Sequence, residues 1–484
     1  ARPPEGMEPP MELLLKNGTV VTPDGVVRAD LGIGGERIVY LGRPEVGETI
    51  HPRETLDCSG CLLFPGAIDA HVQLEVSFGR GELGDDFYTG SRAAACGGVT
   101  TLIDYARQQK GGSPLEALRA RKEAANAKVG IDYTLHLTLV DPTPDAVAEA
   151  PRALEEGIRS FKIYMAYGKQ GRRTDDGAIL DIMRAIVGAS QARGEGGGFL
   201  GIHAEVDEQI VRASEALLRA GKVQPRYHGE AHPPISEVAA VESVIRYARL
   251  TGCETYIKHV STAEAARLIG EARRGGGGVR IWGETCPHYL ILDESRYLGE
   301  DAPLFVMSPP LRRKDNQAGL WEALASGDLQ VAATDHGSYS RAQKFDDVST
   351  FEDVPPGIPG IETLVPLMYT YGVDEGRLSL LRFAQVLAEE PARIFGLYPR
   401  KGAFQIGSDA DIVVYDPGPE DSIDISRLTT NSDFTPFEGM RVKGRVRETF
   451  CRGRLVARDG RWVGEDEWRG RFIPARRNQG PGHG

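Results

Sequence analysis

Between residues 64 and 396 the hydrophobic pattern switches back and forth between two periods. Short apolar runs rich in β-branched residues, TTLIDYA, IDYTLHLTLV, SFKIYMAY, GFLGIHAE, ETYIKHVS, VRIWGET and LQVAATD, read as buried strands. Most are followed by a helical pattern, such as SPLEALRARKEAANAK or AEAARLIGEARR. Repeated βα units predict a parallel sheet. Seven or eight units in roughly 330 residues fit a closed (β/α)8 barrel of the TIM type, in the α/β class. A doubly wound open sheet is the alternative, but no GxGxxG follows an early strand.

The two ends of the chain read differently. Residues 11–63 and 397–467 carry short apolar runs broken by NG, DG and GG turns, which predict β-strands. A small composite β-sandwich assembled from both termini accounts for them. Residues 1–10 read as a flexible leader and 468–484 as a basic, Pro/Gly-rich extended arm. GKQGRRTDD, GEGGG and RRGGGG read as charged or glycine-rich surface turns; none has the lysine of a phosphate-binding P-loop.

Composition narrows the function classes. The chain has 484 residues, 41% hydrophobic and 26% charged, which argues against global disorder. A net charge of −12 without a basic stripe argues against a nucleic-acid partner. No run of about 18 apolar residues predicts a membrane span, and the first residues lack an apolar signal core. A cytoplasmic enzyme is the expectation. Of the six cysteines, Cys58 and Cys61 form a CxxC with no second pair to close a zinc site, so they read as structural.

In such a barrel, chemistry gathers at the C-terminal strand ends. His71, Lys162, His203, His259 and Asp335 each close, or lie near the end of, a different predicted strand. Imidazoles and a carboxylate suit zinc and related divalent ions. A desolvated lysine beside them loses its proton, and the neutral amine adds carbon dioxide to become a carbamate. That group bridges two cations, which together hold a hydroxide nucleophile and polarise a carbonyl.

These residues lie in specific motifs: PGAIDAH, DDFYTGSRAAACGGVTT, SFKIYMAYG, HAEVDEQI, KHVSTAEAA, GETCPHYL, SPPLR, ATDH, PGIPGIETLVPLMY and KGAFQIGSDADIVVYDP. From about residue 12 to 465 the chain resembles the cyclic amidohydrolases, dihydropyrimidinase and D-hydantoinase, whose non-enzymatic relatives are the dihydropyrimidinase-related proteins. The resemblance implies a barrel with a composite sandwich and a binuclear site; the divalent metal expected is zinc, one or two per chain, with manganese the alternative. His71, the position of Gln73 and Asp335 would hold one ion, His203 and His259 the other, and N-carboxylated Lys162 would bridge them. Asp335 would be the general base of metal-hydroxide attack on a small cyclic amide. Tyr167 would donate to the oxyanion, and the backbone around Ser308 and Pro356 would contact the ring. A homotetramer is implied as well.

Three positions depart from the family pattern. Gln73 stands where a second histidine is usual, so either its amide oxygen ligates, the enzyme runs on one metal, or the metal is lost. Pro356 replaces an asparagine and has no backbone N–H to offer the ring. Val206 replaces an asparagine and is expected to make the surroundings of His203 less polar. A hydrolase of another ring, such as a cyclic imide, and a metal-poor scaffold are the rival readings. Among the other histidines, His136 and His336 are expected behind the ligands and His288 in packing. His228 and His232 are placed on a loop or interface, and His51 and His483 at the periphery.

Overall fold

The computed structural model describes residues 10–43, 50–76, 81, 83–193 and 197–475. Five strands open the chain: β1 (Leu13–Thr22), β2 (Gly25–Gly34), β3 (Arg37–Gly42), β4 (Glu54–Asp57) and β5 (Leu62–Pro65). The parallel strands follow: β6 (Ala67–Asp69), β7 (Val99–Arg107), β8 (Asp132–Thr138), β9 (Ser160–Tyr164), β10 (Phe199–His203), β11 (Thr255–Ile257), β12 (Ile281–Thr285) and β13 (Val331–Ala332). The chain ends in β14 (Ile412–Ser422), β15 (Arg441–Cys451), β16 (Arg454–Arg458) and β17 (Arg461–Trp462).

β6 to β13 form one parallel sheet in sequence order, with helices between most strands. The seven predicted apolar runs become β7 to β13. They are buried almost throughout because helices cover one side and the barrel core fills the other. β13 is only two residues long, so backbone beyond the last strands closes the seam. Val72 bridges His336 in parallel, and the Gln73 N–H donates to the His336 carbonyl at 3.0 Å.

The second sheet runs β17-β16-β15-β14-β5-β1-β2-β3, with β4 on β1. β5 pairs β1 in parallel and β14 antiparallel, so the two chain ends meet in one sheet as expected. Its core includes Cys58 and Cys61 among apolar side chains, and burial pushes the Cys58 thiol up to about 12. Gly66 links this sheet to the barrel. A Cβ there would meet the Thr100 side chain at 2.1 Å, so only glycine fits.

A buried ion network joins the two units. Lys401 Nζ donates to Asp132 and Asp411, each at 2.6 Å, and the Arg452 guanidinium reaches Asp132 and Glu36. Asp132 begins β8, so the junction lies at the N-terminal mouth of the barrel and leaves the C-terminal mouth for chemistry. The described part of the C-terminal arm is held against β8: the Ile473 N–H donates to the Tyr133 carbonyl at 2.7 Å. Residues 1–9, 476–484 and His483 lie outside the described residues.

Candidate active site

Strand geometry delivers the predicted residues to one mouth. His71 stands two residues past β6, Lys162 is central in β9, His203 ends β10, His259 follows β11 and Asp335 follows β13. All five line one cavity of about 240 Å³, with Gln73, Tyr167, Ser308 and Pro356. Tyr167, His259 and Asp335 have φ of 69°, 36° and 50°. Non-glycine residues are rare there, at a cost of order 1–3 kcal/mol each, and such strain clusters where a side chain must be aimed.

The His71 ring sits between two carboxylates. Nδ1 lies 2.5 Å from Glu284 Oε1, and Nε2 lies 2.9 Å from Asp335 Oδ1. Burial disfavours charge on this ring, but Asp335 and Glu284 outweigh it and raise its pKa. Asp335 is buried too, yet His71 holds its carboxyl down to about 2. Glu284 also accepts from the Tyr256 hydroxyl at 2.7 Å and lies 3.6 Å from Lys258 Nζ.

On the other side of the cavity, His203 Nδ1 faces His259 Nε2 at 3.0 Å. His203 Nε2 contacts Glu205 at 2.7 Å, and Glu205 reaches His232 Nδ1 at 3.0 Å. A carboxylate on Nε2 fixes the proton there and leaves Nδ1 with its lone pair, the usual arrangement behind a metal-binding imidazole. Burial drives the pKa of His259 well below its ordinary value, helped by His203, so its ring stays neutral. The surroundings of His203 are therefore more polar than the valine at 206 suggested: Glu205 and His232 supply what an asparagine would.

Lys162 is 1% exposed, and its Nζ has no hydrogen-bond partner among the described residues. Burial, with Lys258 nearby, pushes its pKa well below 10.5. His259 Nδ1 is likewise without a partner among the described residues. Among these residues, no three His, Cys, Asp or Glu side chains converge where an ion would be held. The donor set fits a divalent ion once the neutral Lys162 amine is a carbamate. An anionic carbamate oxygen would then join the His203 and His259 imidazoles as a donor to the ion, and the buried amine would gain a partner.

Gln73 does not turn its oxygen inward. Its Nε2 donates to Asp335 Oδ1 at 3.0 Å, and its oxygen accepts from the Arg107 guanidinium. Burial raises the Tyr167 phenol well above 10, so it remains a donor, and its hydroxyl interacts with Ser308. Arg172, expected on a surface turn, also lines the cavity.

The remaining histidines are structural partners. His136 contacts Ser160, the Ala70 carbonyl and Lys258. His336 faces Asp85 at 3.2 Å and accepts from the Gly360 N–H. His288 packs on Tyr289 and His51 is exposed. His228, expected on a loop or interface, is buried and donates to the Met307 carbonyl. Sequence reasoning missed Glu205, Glu284, Lys258 and Arg107. The available signal was charge inside or at the end of an apolar strand run, as in YIKH and IWGET.

Comparison with known proteins shows the family. Residues 291–456 match the amidohydrolase family. A D-hydantoinase of Geobacillus stearothermophilus is 38% identical over 462 residues, 94% of this chain and 95% of that one. A D-phenylhydantoinase of Escherichia coli O1:K1 is 37% identical over 466 residues, 96% and 98% of the two chains. The crystal structure of dihydropyrimidinase from Brevibacillus agri superposes with a TM-score of 0.90 at 35% identity, covering 96% of this chain and 99% of that one. The chain belongs to the amidohydrolase family. Within it, the chain is a hydrolase of the hydantoinase and dihydropyrimidinase kind.

Proposed function

We propose that the chain is a metal-dependent hydrolase that opens a cyclic amide, with dihydropyrimidine and hydantoin rings as the substrate class. The observation that carries this reading is the buried Lys162 amine. It has no partner among the described residues, burial pushes it toward the neutral form, and it shares the cavity with the His203 and His259 imidazoles. The amine would add carbon dioxide with release of one proton, and the resulting carbamate would hold a divalent ion with His203 and His259. Zinc is the metal this donor set favours. When bound, the ion polarises the ring carbonyl and lowers the pKa of water.

The chain's own groups do the rest. Asp335, held anionic by His71 and oriented by the Gln73 amide, accepts the proton of the attacking water and returns it to the leaving nitrogen. Tyr167, held protonated by burial and fixed at positive φ, donates to the oxygen where negative charge develops. Ser308 and Pro356 line the cavity that would take the ring. Lacking an N–H, Pro356 offers only its carbonyl and its apolar ring face. Cytoplasmic location and a homotetramer belong to the same reading; light scattering checks the latter.

The test is ring opening by the zinc-loaded protein on dihydrouracil, hydantoin, 5-substituted hydantoins and a cyclic imide, read as appearance of the open-chain product. Opening of at least one dihydropyrimidine or hydantoin, lost on chelation and restored by zinc, is expected. No opening of any ring, or opening insensitive to chelation, refutes the reading. Opening of the imide alone moves the substrate class.

A further inference from the structure

The side-chain amide of Gln73 has two ends, and the structure decides what each faces. A guanidinium has donors only. The contact with Arg107 therefore requires the Gln73 oxygen on that side and directs the NH2 to Asp335, 3.0 Å away. Backbone geometry holds the arrangement in place. The Gln73 N–H is tied to His336 across the barrel seam, and Arg107 ends β7, the strand next to β6. The oxygen that would ligate an ion is engaged by a donor, and that donor is a fixed cation. A divalent ion beside Gln73 would have to displace the guanidinium or sit against it.

We propose that Arg107, acting through Gln73, takes the place of one of two metal ions. The chain then holds a single divalent ion on the Lys162, His203 and His259 side, while Arg107 supplies fixed positive charge on the His71 and Asp335 side. Arg107 is a positioning residue here. It orients the amide that holds Asp335. The proposal rests on the reading that the site is a metal-dependent hydrolase.

Metal content tests it without relying on turnover. The wild-type chain is loaded with excess zinc, desalted and analysed by mass spectrometry for metal per chain; a parallel cobalt-loaded sample is examined by electron paramagnetic resonance. One ion per chain and an uncoupled high-spin cobalt signal are expected. Two ions per chain, or a spin-coupled cobalt pair, overturn the proposal and leave the hydrolase reading standing. No bound metal overturns both. Gln73→His alone is expected to stay at one ion, because the guanidinium remains. Gln73→His with Arg107→Met is expected to rise toward two. A single variant that reaches two, or a folded double variant that stays at one, removes Arg107 from the explanation. If the double variant does not fold, the wild-type count decides.

Discussion

Glu284 is the carboxylate on which the interior of the barrel mouth is organised. It contacts His71 Nδ1 at 2.5 Å, the Tyr256 hydroxyl at 2.7 Å and the His259 N–H at 3.2 Å, and it is the anion 3.6 Å from the buried ammonium of Lys258. Glu284→Gln keeps the shape and removes the charge. Among the described residues, Lys258 would keep as hydrogen-bond partners only the His136 ring and the Ala70 carbonyl. Removing one partner of a buried pair costs about 3–5 kcal/mol. Unfolding entropy near 2.1 cal/mol/K per residue gives about 1 kcal/mol/K for a chain of this length, so the melting temperature should fall by about 3–5 °C. Burial already lowers the Lys258 pKa, and loss of Glu284 removes the largest group raising it. The folded variant then binds fewer protons than the unfolded chain below the ordinary lysine pKa, so its stability rises with pH and the deficit shrinks toward pH 10. The assay is calorimetric melting of wild type, Glu284→Gln, Lys258→Met and the double variant at pH 7 and 9.5, with matched metal content. The double variant should recover at least half of the Glu284→Gln loss, because no ammonium is left without its anion. Losses that simply add, or a deficit independent of pH, would refute the reasoning.

Tyr167→Phe removes a preorganised donor and should lower kcat by about 10²–10³, with KM and metal content little changed; a drop below fivefold removes Tyr167 from the oxyanion. Glu362 tests linkage away from the site. Burial raises its carboxyl to about 8, against the amide donors of Thr429 and Thr430. The folded chain then binds the extra proton, so this group's contribution to stability falls as pH rises from 4.5 to about 8 and is flat above. Glu362→Gln keeps an acceptor and should melt higher than wild type at pH 8.5 and equally at pH 5; an equal melting point at both pH values counts against the shift.

Much of the barrel was legible because parallel strands buried on both faces must be continuous apolar runs. A histidine, lysine or aspartate closing such a run is costly to bury unless a partner or a ligand meets it at the barrel mouth. PGAIDAH, SFKIYMAYG, GFLGIHAE, YIKHVS and VAATD each marked a strand and delivered at least one polar residue to the same cavity. What stayed hidden depends on closure. Val72 meets His336 only when the first and last strands come together, and that contact sets where Gln73 points. Arg107, next after an apolar run, reads as an ordinary exposed strand end until β6 and β7 are neighbours. Glu284 and Lys258 face the barrel interior, and the inward or outward sense of a strand residue buried on both sides cannot be taken from alternation. Val206 misled for a related reason: the polarity around His203 comes from Glu205 and from His232, which is distant along the chain.

The central claim concerns Lys162. The decisive measurement is ring-opening activity of zinc-supplied Lys162→Ala against wild type, with and without added propionate. The account predicts that the variant loses at least about 99% of activity, roughly 2.7 kcal/mol or more of transition-state stabilisation. It also predicts that propionate, a small carboxylate able to occupy the place of the carbamate, restores a measurable part. A variant that opens the ring at a rate near wild type, without propionate, would contradict it.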